Sequence, residues 1–370
     1  MRKSIHENFP CEQCGANLVY IPGSYFLKCD HCGYEQNIQE DEIINTPIQE
    51  YDFEEAIKNS KKGNSKLHSP EAKEMQCSGC GAVSLVFEQS TRCPFCSSPV
   101  VVNLQDLTES IVPESILPFG IDKKTAQGNF LDWLKSRWFA PDDLSKRAKR
   151  EGMDGIYLPF WTYDSETSTV YKGERGIYYY ETEKYKLANG STQTRQVQKI
   201  RWYAVKGKVK VEFDDILVCA SLSLPHELID ALQPWELNNL ISFDPKFLSG
   251  FITERYKVDL KDGFGIAKEK MDPEIVRNVI LDIGGDIQRI HTKYVTYSNI
   301  TYKHILLPLW ISSFQYKEKI YRVVVNARSG QVSGERPYSW LKISFAVLCG
   351  IATCSFLYYF LQDYLFHSGK

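Results

Sequence analysis

The sequence predicts an α+β protein: two small four-cysteine ribbons, an antiparallel-sheet-containing α+β domain with an internal duplication, and one C-terminal transmembrane helix. Three observations predict it: two quartets of Cys-x-x-Cys pairs near the N-terminus, a Leu-Pro-x-Trp motif that occurs twice, and an uncharged apolar run from Ile343 to Leu361.

The first quartet is Cys11, Cys14, Cys29 and Cys32, with 14 residues between its pairs; the second is Cys77, Cys80, Cys93 and Cys96, with 12. A two-residue gap lets one tight turn aim two thiolates at a common point, and the longer gap accommodates a hairpin that returns the second pair to complete a tetrahedron. This is the donor set of Zn2+. Four sulfurs close the coordination shell, so both sites are expected to be structural, because a catalytic zinc keeps a position open. Gly15, Gly33 and Gly81 follow the last cysteine of their pairs, where positive φ folds the backbone over sulfur, and Ser97 holds the fourth such place. His31 reads as an exposed spacer inside a knuckle rather than a ligand.

Residues 1–100 carry 9 Lys+Arg against 14 Asp+Glu, and each four-thiolate zinc centre would add further negative charge. A phosphate backbone would be repelled, so nucleic acid is not the expected partner. With 370 residues and net charge −2, the chain can bury a full-sized core beside small modules. Eight of its eleven cysteines need to stay reduced to bind metal, and the Met1–His6 segment lacks the apolar core of a signal peptide, which places the bulk in the cytoplasm.

The expected divisions are a first ribbon over 1–38, a polar linker with a short helix over 39–72, a second ribbon over 73–102, and a duplicated domain over 103–337 with halves of about 103–224 and 225–337. A transmembrane helix follows over 341–362, then a short tail over 363–370. Within the linker, Tyr51–Ile57 is expected to form a helical turn or two and dock Phe53 and Ile57 on a ribbon. Pro99-Val100-Val101-Val102 is expected to leave the second ribbon as a strand.

In the main domain Asp122 is expected to cap a helix with Ala126, Phe130, Leu134 and Trp138 on one face. Asp272-Pro273-Glu274 is expected to cap another with Val276, Val279, Ile283, Ile287 and Ile290 on its face. Leu158-Pro159-Phe160-Trp161 and Leu307-Pro308-Leu309-Trp310 follow these caps at 36 and 35 residues, which suggests a duplication. Val205, Gly207, Val209, Val211 and Phe213 alternate with Lys206, Lys208, Lys210 and Glu212, a strand with one buried and one wet face. Tyr321–Val325, Asn326–Gly330 and Gln331-Val332 read as strand, turn and strand.

No stretch fits Gly-x-x-x-x-Gly-Lys-Ser/Thr, which excludes the ATPase or helicase that loop would serve. Gly263-Phe264-Gly265 reads as a turn, Asp142-Asp143 as a helix cap, and Asp214-Asp215 as a turn ending the lysine-rich strand. His226, His291 and His304 have no nucleophile partner at a recognisable spacing, and Cys219 sits in an apolar run as a buried, inert thiol. Lys146–Arg150 is the densest basic cluster and reads as an exposed helix face. No catalytic constellation emerges, and the chain is expected not to be an enzyme.

The run from Ile343 to Leu361 makes a helix of about 28 Å, enough to cross a bilayer. Arg328, Arg336 and Lys342 precede it, so the positive-inside bias puts the N-terminal domain in the cytoplasm and the chain in the cytoplasmic membrane as a single-pass protein.

With the ribbons, the doubled Leu-Pro-x-Trp and the segment Gly334–Ile343 in hand, the chain resembles a bacterial family of zinc-ribbon membrane proteins. Its members are often labelled primosomal protein N′-like helicases or transcription-factor-B-type zinc-ribbon proteins. Cys219–Pro225, Gln233–Leu237 and Leu248–Phe251 carry the same resemblance. The helicase label does not transfer, because the phosphate loop is missing. The resemblance brings no catalytic residues. The functional expectation is a non-enzymatic membrane-anchored adaptor that presents cytoplasmic protein-interaction surfaces, in envelope or membrane maintenance. The expected partners are a cytoplasmic or membrane-scaffold protein of the band-7 or flotillin kind, and the lipid bilayer. The alternatives are a membrane-associated nucleic-acid-binding protein using its ribbons, and an enzyme acting on lipid or peptidoglycan precursors.

Overall fold

The computed structural model describes residues 9–38, 46–60, 73–77, 82–86, 93–96, 111–141, 143–144, 152–186, 191–317 and 319–367. Cys80, Gly81, Ser97, Pro99–Val102 and Lys146–Arg150 lie outside these residues, as does Asp142.

The first cysteine quartet sits on a three-stranded antiparallel sheet of β1 (Leu18–Tyr20), β2 (Phe26–Cys29) and β3 (Glu35–Asn37). Next come β4 (Tyr51–Asp52) and α1 (Phe53–Ser60), whose start Asp52 caps by accepting from the Glu55 amide at 2.7 Å. Phe53 does not dock on a ribbon as the sequence suggested. It packs against Phe264 and Tyr163 of the main domain, ring centroids 4.8 and 6.2 Å away, because β4 pairs with the central sheet and delivers α1 there.

The second cysteine region contributes β5 (Lys73–Gln76) and β6 (Val83–Val86). The main domain then runs β7 (Ser115–Ile116), α2 (Lys123–Lys135), β8 (Asp154–Lys186), β9 (Thr192–Cys219), α3 (His226–Asp230), β10 (Ile241–Ser242), β11 (Ile252–Glu254) and α4 (Leu260–Ile283). It ends with β12 (Ile287–Tyr316), β13 (Lys319–Asn326), β14 (Val332–Gly334) and α5 (Trp340–His367). The sheet order is β10-β7-β12-β8-β11-β6-β5, with β13 and β9 continuing the ladder beside β12 and β8.

In that order β7 and β10 flank β12 as β11 and β6 flank β8, with β5 as an extra strand at one edge, and in the antiparallel β8–β12 pair Leu158 faces Leu307. β11 runs parallel to β8 at Ile156, and β7 parallel to β12 at Ile305. β9 joins β8 at Phe160, and β13 joins β12 at Leu309. From Ile156 to Ile305, from Leu158 to Leu307 and from Phe160 to Leu309 the separation is the same, 149 residues.

β8, β9 and β12 extend beyond the core as a long blade. β8 alone, with 33 residues at about 3.3 Å each, reaches roughly 110 Å. The alternation expected at residues 205–213 is present, with Lys206, Lys208, Lys210 and Glu212 on the exposed face. Asp214-Asp215 does not end this strand: β9 continues to Cys219, and Asp215, at φ 52°, forms a bulge opposite Asp164.

Both helix expectations change. Asp122 does cap α2, accepting from the Thr125 amide at 2.8 Å, and Ala126, Phe130 and Leu134 are buried. The helix stops at Lys135, so Trp138 lies beyond it, 74% exposed. In the second half Asp272-Pro273-Glu274 is helix interior, since α4 begins at Leu260 behind Asp259. Ile287 and Ile290 belong to β12 instead, and the matched cap-to-motif offsets fail with the misplaced cap. Nor is Gly263-Phe264-Gly265 a turn. It forms the first turns of α4, where a Cβ on Gly263 would run into Tyr163 Oη and come within 2.9 Å of Trp161 Cδ1. Glycine is needed there for close approach of helix to sheet.

Candidate metal centres

Cys11 and Cys14 occupy the turn before β1, and Cys29 and Cys32 the turn that leaves β2. The hairpin brings all four sulfurs within 4.8 Å of one another. Cys11–Cys32 and Cys14–Cys29 are each 3.5 Å apart. A tetrahedron with metal–sulfur bonds of about 2.3 Å has sulfur–sulfur edges of about 3.8 Å, so the cluster fits a four-thiolate ion. Gly15 and Gly33 take φ of 77° and 78°, and their amides close on the Cys11 and Cys29 carbonyls at 2.8 and 2.9 Å. The Cys32 amide, aimed at the Cys29 sulfur, holds that thiol below its ordinary range, whereas hydrogen bonds from neighbouring sulfurs help raise Cys14 and Cys32, so the four thiols share their protons unequally. His31 is exposed, as a spacer would be.

In the second region Cys77, Cys93 and Cys96 lie within 4.8 Å of one another, with Cys77–Cys96 at 3.5 Å. The Cys77 amide donates to the Ala82 carbonyl at 2.9 Å, repeating the Cys11-to-Ala16 and Cys29-to-Tyr34 bonds of 2.7 and 2.8 Å. All three turns therefore share one closing bond between residues five apart. Either cluster can hold a metal ion.

Each cluster is bonded to the central domain. Leu18, Tyr20, Leu27, Cys11 and Cys29 share a buried core with Phe119, Phe247 and Phe251, and the Tyr20 and Gly23 amides donate to the Ser249 and Phe119 carbonyls. In the second, Phe95 is fully buried, its carbonyl accepts from Arg322 Nε, and the Pro94 carbonyl accepts from Ser313 Oγ.

Two buried polar groupings were not foreseen. Lys303 Nζ lies 2.7 Å from Asp215 and 3.1 Å from Glu50, while Asp164 accepts from Thr301 at 2.7 Å. Burial disfavours the Lys303 charge, but the two carboxylates outweigh it and hold the ammonium above its ordinary range, which unsuits it as a nucleophile or base. Glu254, in β11, accepts from Ser221 at 2.7 Å and from Ser223. Neither has a local motif, because the partners come from segments distant in sequence.

Among the described residues no cluster able to hold a metal includes a histidine. His226 opens α3, and His291 is exposed beside Glu174 at 3.5 Å. His304 is buried, its Nδ1 donating to the Ile111 carbonyl at 2.9 Å. Cys219 is buried as expected, and burial pushes its thiol up to about 12, leaving it inert.

At the other end, α5 offers Trp340–Leu361, 22 residues of mean hydropathy 1.8 with none of the apolar window buried. It continues to His367, past the expected end at 362. Thr353 Oγ1 donates to the Cys349 and Gly350 carbonyls, so this polar group is satisfied within the helix. The helix is long and apolar enough to cross a membrane, and its exposure is unlike a soluble core helix.

Fold and site together define a mixed α+β protein with a large antiparallel sheet, cysteine clusters able to hold metal, and one exposed apolar helix. The chain is similar to the uncharacterized protein YdjG of Bacillus subtilis (strain 168), 25% identical over 353 residues that cover 95% of each chain. No family model matches it, and no solved structure does.

Proposed function

We propose that this chain is a non-enzymatic adaptor: two structural zinc ribbons and an internally duplicated α+β domain, held at the cytoplasmic face of the membrane by α5. The observation that carries this reading is α5 itself, with none of its apolar window buried and rooted in the body by bonds from the Ser339 amide to Phe139 O and from Lys342 Nζ to Ala140 O. An unburied apolar surface of that size needs lipid. Zinc is the ion that suits all-thiolate tetrahedra in a reducing compartment. Duplication is supported by the constant 149-residue separation between equivalent pairing positions and by the matching pair of strands on either side of β8 and β12.

The blade supplies the surface for a partner. On its exposed face Lys172 pairs with Lys206, Val170 with Lys208 and Ser168 with Lys210, beside Tyr294, which is 72% exposed. Such a face suits an acidic protein. The cysteine clusters do not favour nucleic acid. Around the first, Glu12, Asp30 and Glu35 are exposed, and Lys28 is paired with Glu35 at 3.1 Å.

The test is affinity capture of tagged full-length chain from solubilised membranes, alongside a Lys206→Glu/Lys208→Glu/Lys210→Glu variant. The wild type is expected to retain a specific protein that the variant loses. Recovery of nothing above background, or salt-sensitive nanomolar binding of nucleic acid by the intact chain, would overturn the adaptor reading.

A further inference from the structure

We infer that the root of α5 carries a binding site for the phosphate headgroup of an anionic phospholipid in the leaflet facing the body. The inference rests on the membrane anchoring proposed above and names the lipid that the anchor meets.

Immediately before α5 an open groove of about 540 Å³ is lined by Trp133, Arg137, Lys319, Tyr321, Arg336 and Tyr338. It gathers three cations from three separate parts of the chain: the turn after α2, the start of β13 and the segment after β14. Each cation lies over an aromatic ring. Arg137 is 4.9 Å from the Trp133 centroid, Lys319 5.5 Å from that of Tyr321, and Arg336 5.3 Å from that of Tyr338. Among the described lining residues Glu335 is the one carboxylate, and it accepts from the Arg322 amide at 3.2 Å, so cations are in excess there. Arg336 Nη1 is shut off from solvent without a hydrogen-bond acceptor among the described residues. Among the described residues no carboxylate neutralises this guanidinium, so its positive charge is left to the groove that Arg336 lines.

Position selects a lipid over a soluble phosphate. Tyr338 stands two residues before Trp340, where the apolar span begins, so the groove opens at headgroup depth when α5 crosses. The neighbouring loop of the body adds Trp138, 74% exposed, and Phe139, 37% exposed, and its carbonyls at Phe139 and Ala140 are bonded to the start of the helix. Trp340, 82% exposed, lies on the same side of the span. Exposed aromatic side chains beside a basic groove at the end of a spanning helix form an interfacial belt around a headgroup site.

The experiment uses full-length chain in nanodiscs of phosphatidylcholine with roughly one phosphatidylglycerol in five, followed by native mass spectrometry of lipid retained on the chain. Wild type is expected to retain phosphatidylglycerol and phosphatidylcholine in a ratio about tenfold above that of the discs. Arg137→Gln/Lys319→Gln/Arg336→Gln should return it to its share, whereas Lys206→Gln/Lys208→Gln on the blade should leave the enrichment intact. A wild type resident in discs without enrichment overturns the site. Displacement of the lipid by inorganic phosphate overturns the choice of a lipid. A chain that elutes apart from the discs overturns the anchoring itself, a distinct failure visible before any lipid is counted.

Discussion

His304 sits between Trp161 and Tyr256, ring centroids 4.8 and 5.4 Å away, with Nδ1 on a carbonyl and Nε2 without a partner among the described residues. Burial pushes its pKa down to about 4 from an ordinary 6.5. The folded state therefore binds fewer protons than the unfolded state between those values, and stability is full above pH 6.5 and falls as pH drops towards 4. The loss is expected to reach about 3 kcal/mol, read as a falling urea midpoint. His304→Asn, which keeps a donor for the Ile111 carbonyl, should flatten that part of the profile. Other groups that titrate in acid, the cysteine clusters included, remain in both proteins, so the difference reports His304. Its place was not legible in the sequence, where a lone histidine in an aromatic stretch looks alike whether buried or exposed. The cysteine turns were legible, because two-residue spacing and a following glycine are local geometry.

Among the elements, α4 shows how one residue sets a packing distance. Tyr163 Oη donates to the Leu260 carbonyl at 2.7 Å and Trp161 Nε1 to the Val258 carbonyl at 2.9 Å, tying the helix start to β8 across Gly263. Gly263→Ala is expected to destabilise by about 1–2 kcal/mol, since overpacking outweighs the gain in helix propensity. Gly265 has open space around its Cβ position, so Gly265→Ala should stabilise by up to about 1 kcal/mol. Opposite shifts in denaturant midpoint are the expected result. The misplacement of the α4 cap has a clear origin: Asp-Pro-Glu is a strong local start signal, yet the apolar positions from Leu260 through Met271 already bury against the sheet and carry the helix past Pro273.

For the whole molecule, the cysteine clusters are not pendants. Cys11 and Cys29 belong to the same buried core as Phe119, Phe247 and Phe251, so metal at the first cluster would brace the central domain. Purified chain is expected to hold two zinc ions, and chelation should lower its melting temperature by about 10 °C. A metal-free preparation with intact thiols, or an unmoved melting curve, would remove zinc from its structural role.

Features that depend on near neighbours or on composition follow from the order of residues: the cysteine quartets, the α+β class, the alternation around Val205–Phe213, the Asp122 cap and the apolar run of α5. Tertiary structure alone decided what depends on residues far apart in the chain. It set the central antiparallel pairing of β8 and β12, the docking of both cysteine clusters onto one domain, and the route of Phe53 away from them. It also gathered three cations beside the root of α5. The physical reason is that capping, turn formation and hydrophobic periodicity act over a few residues, whereas strand register and buried charge pairing are chosen by the packing of the entire sheet.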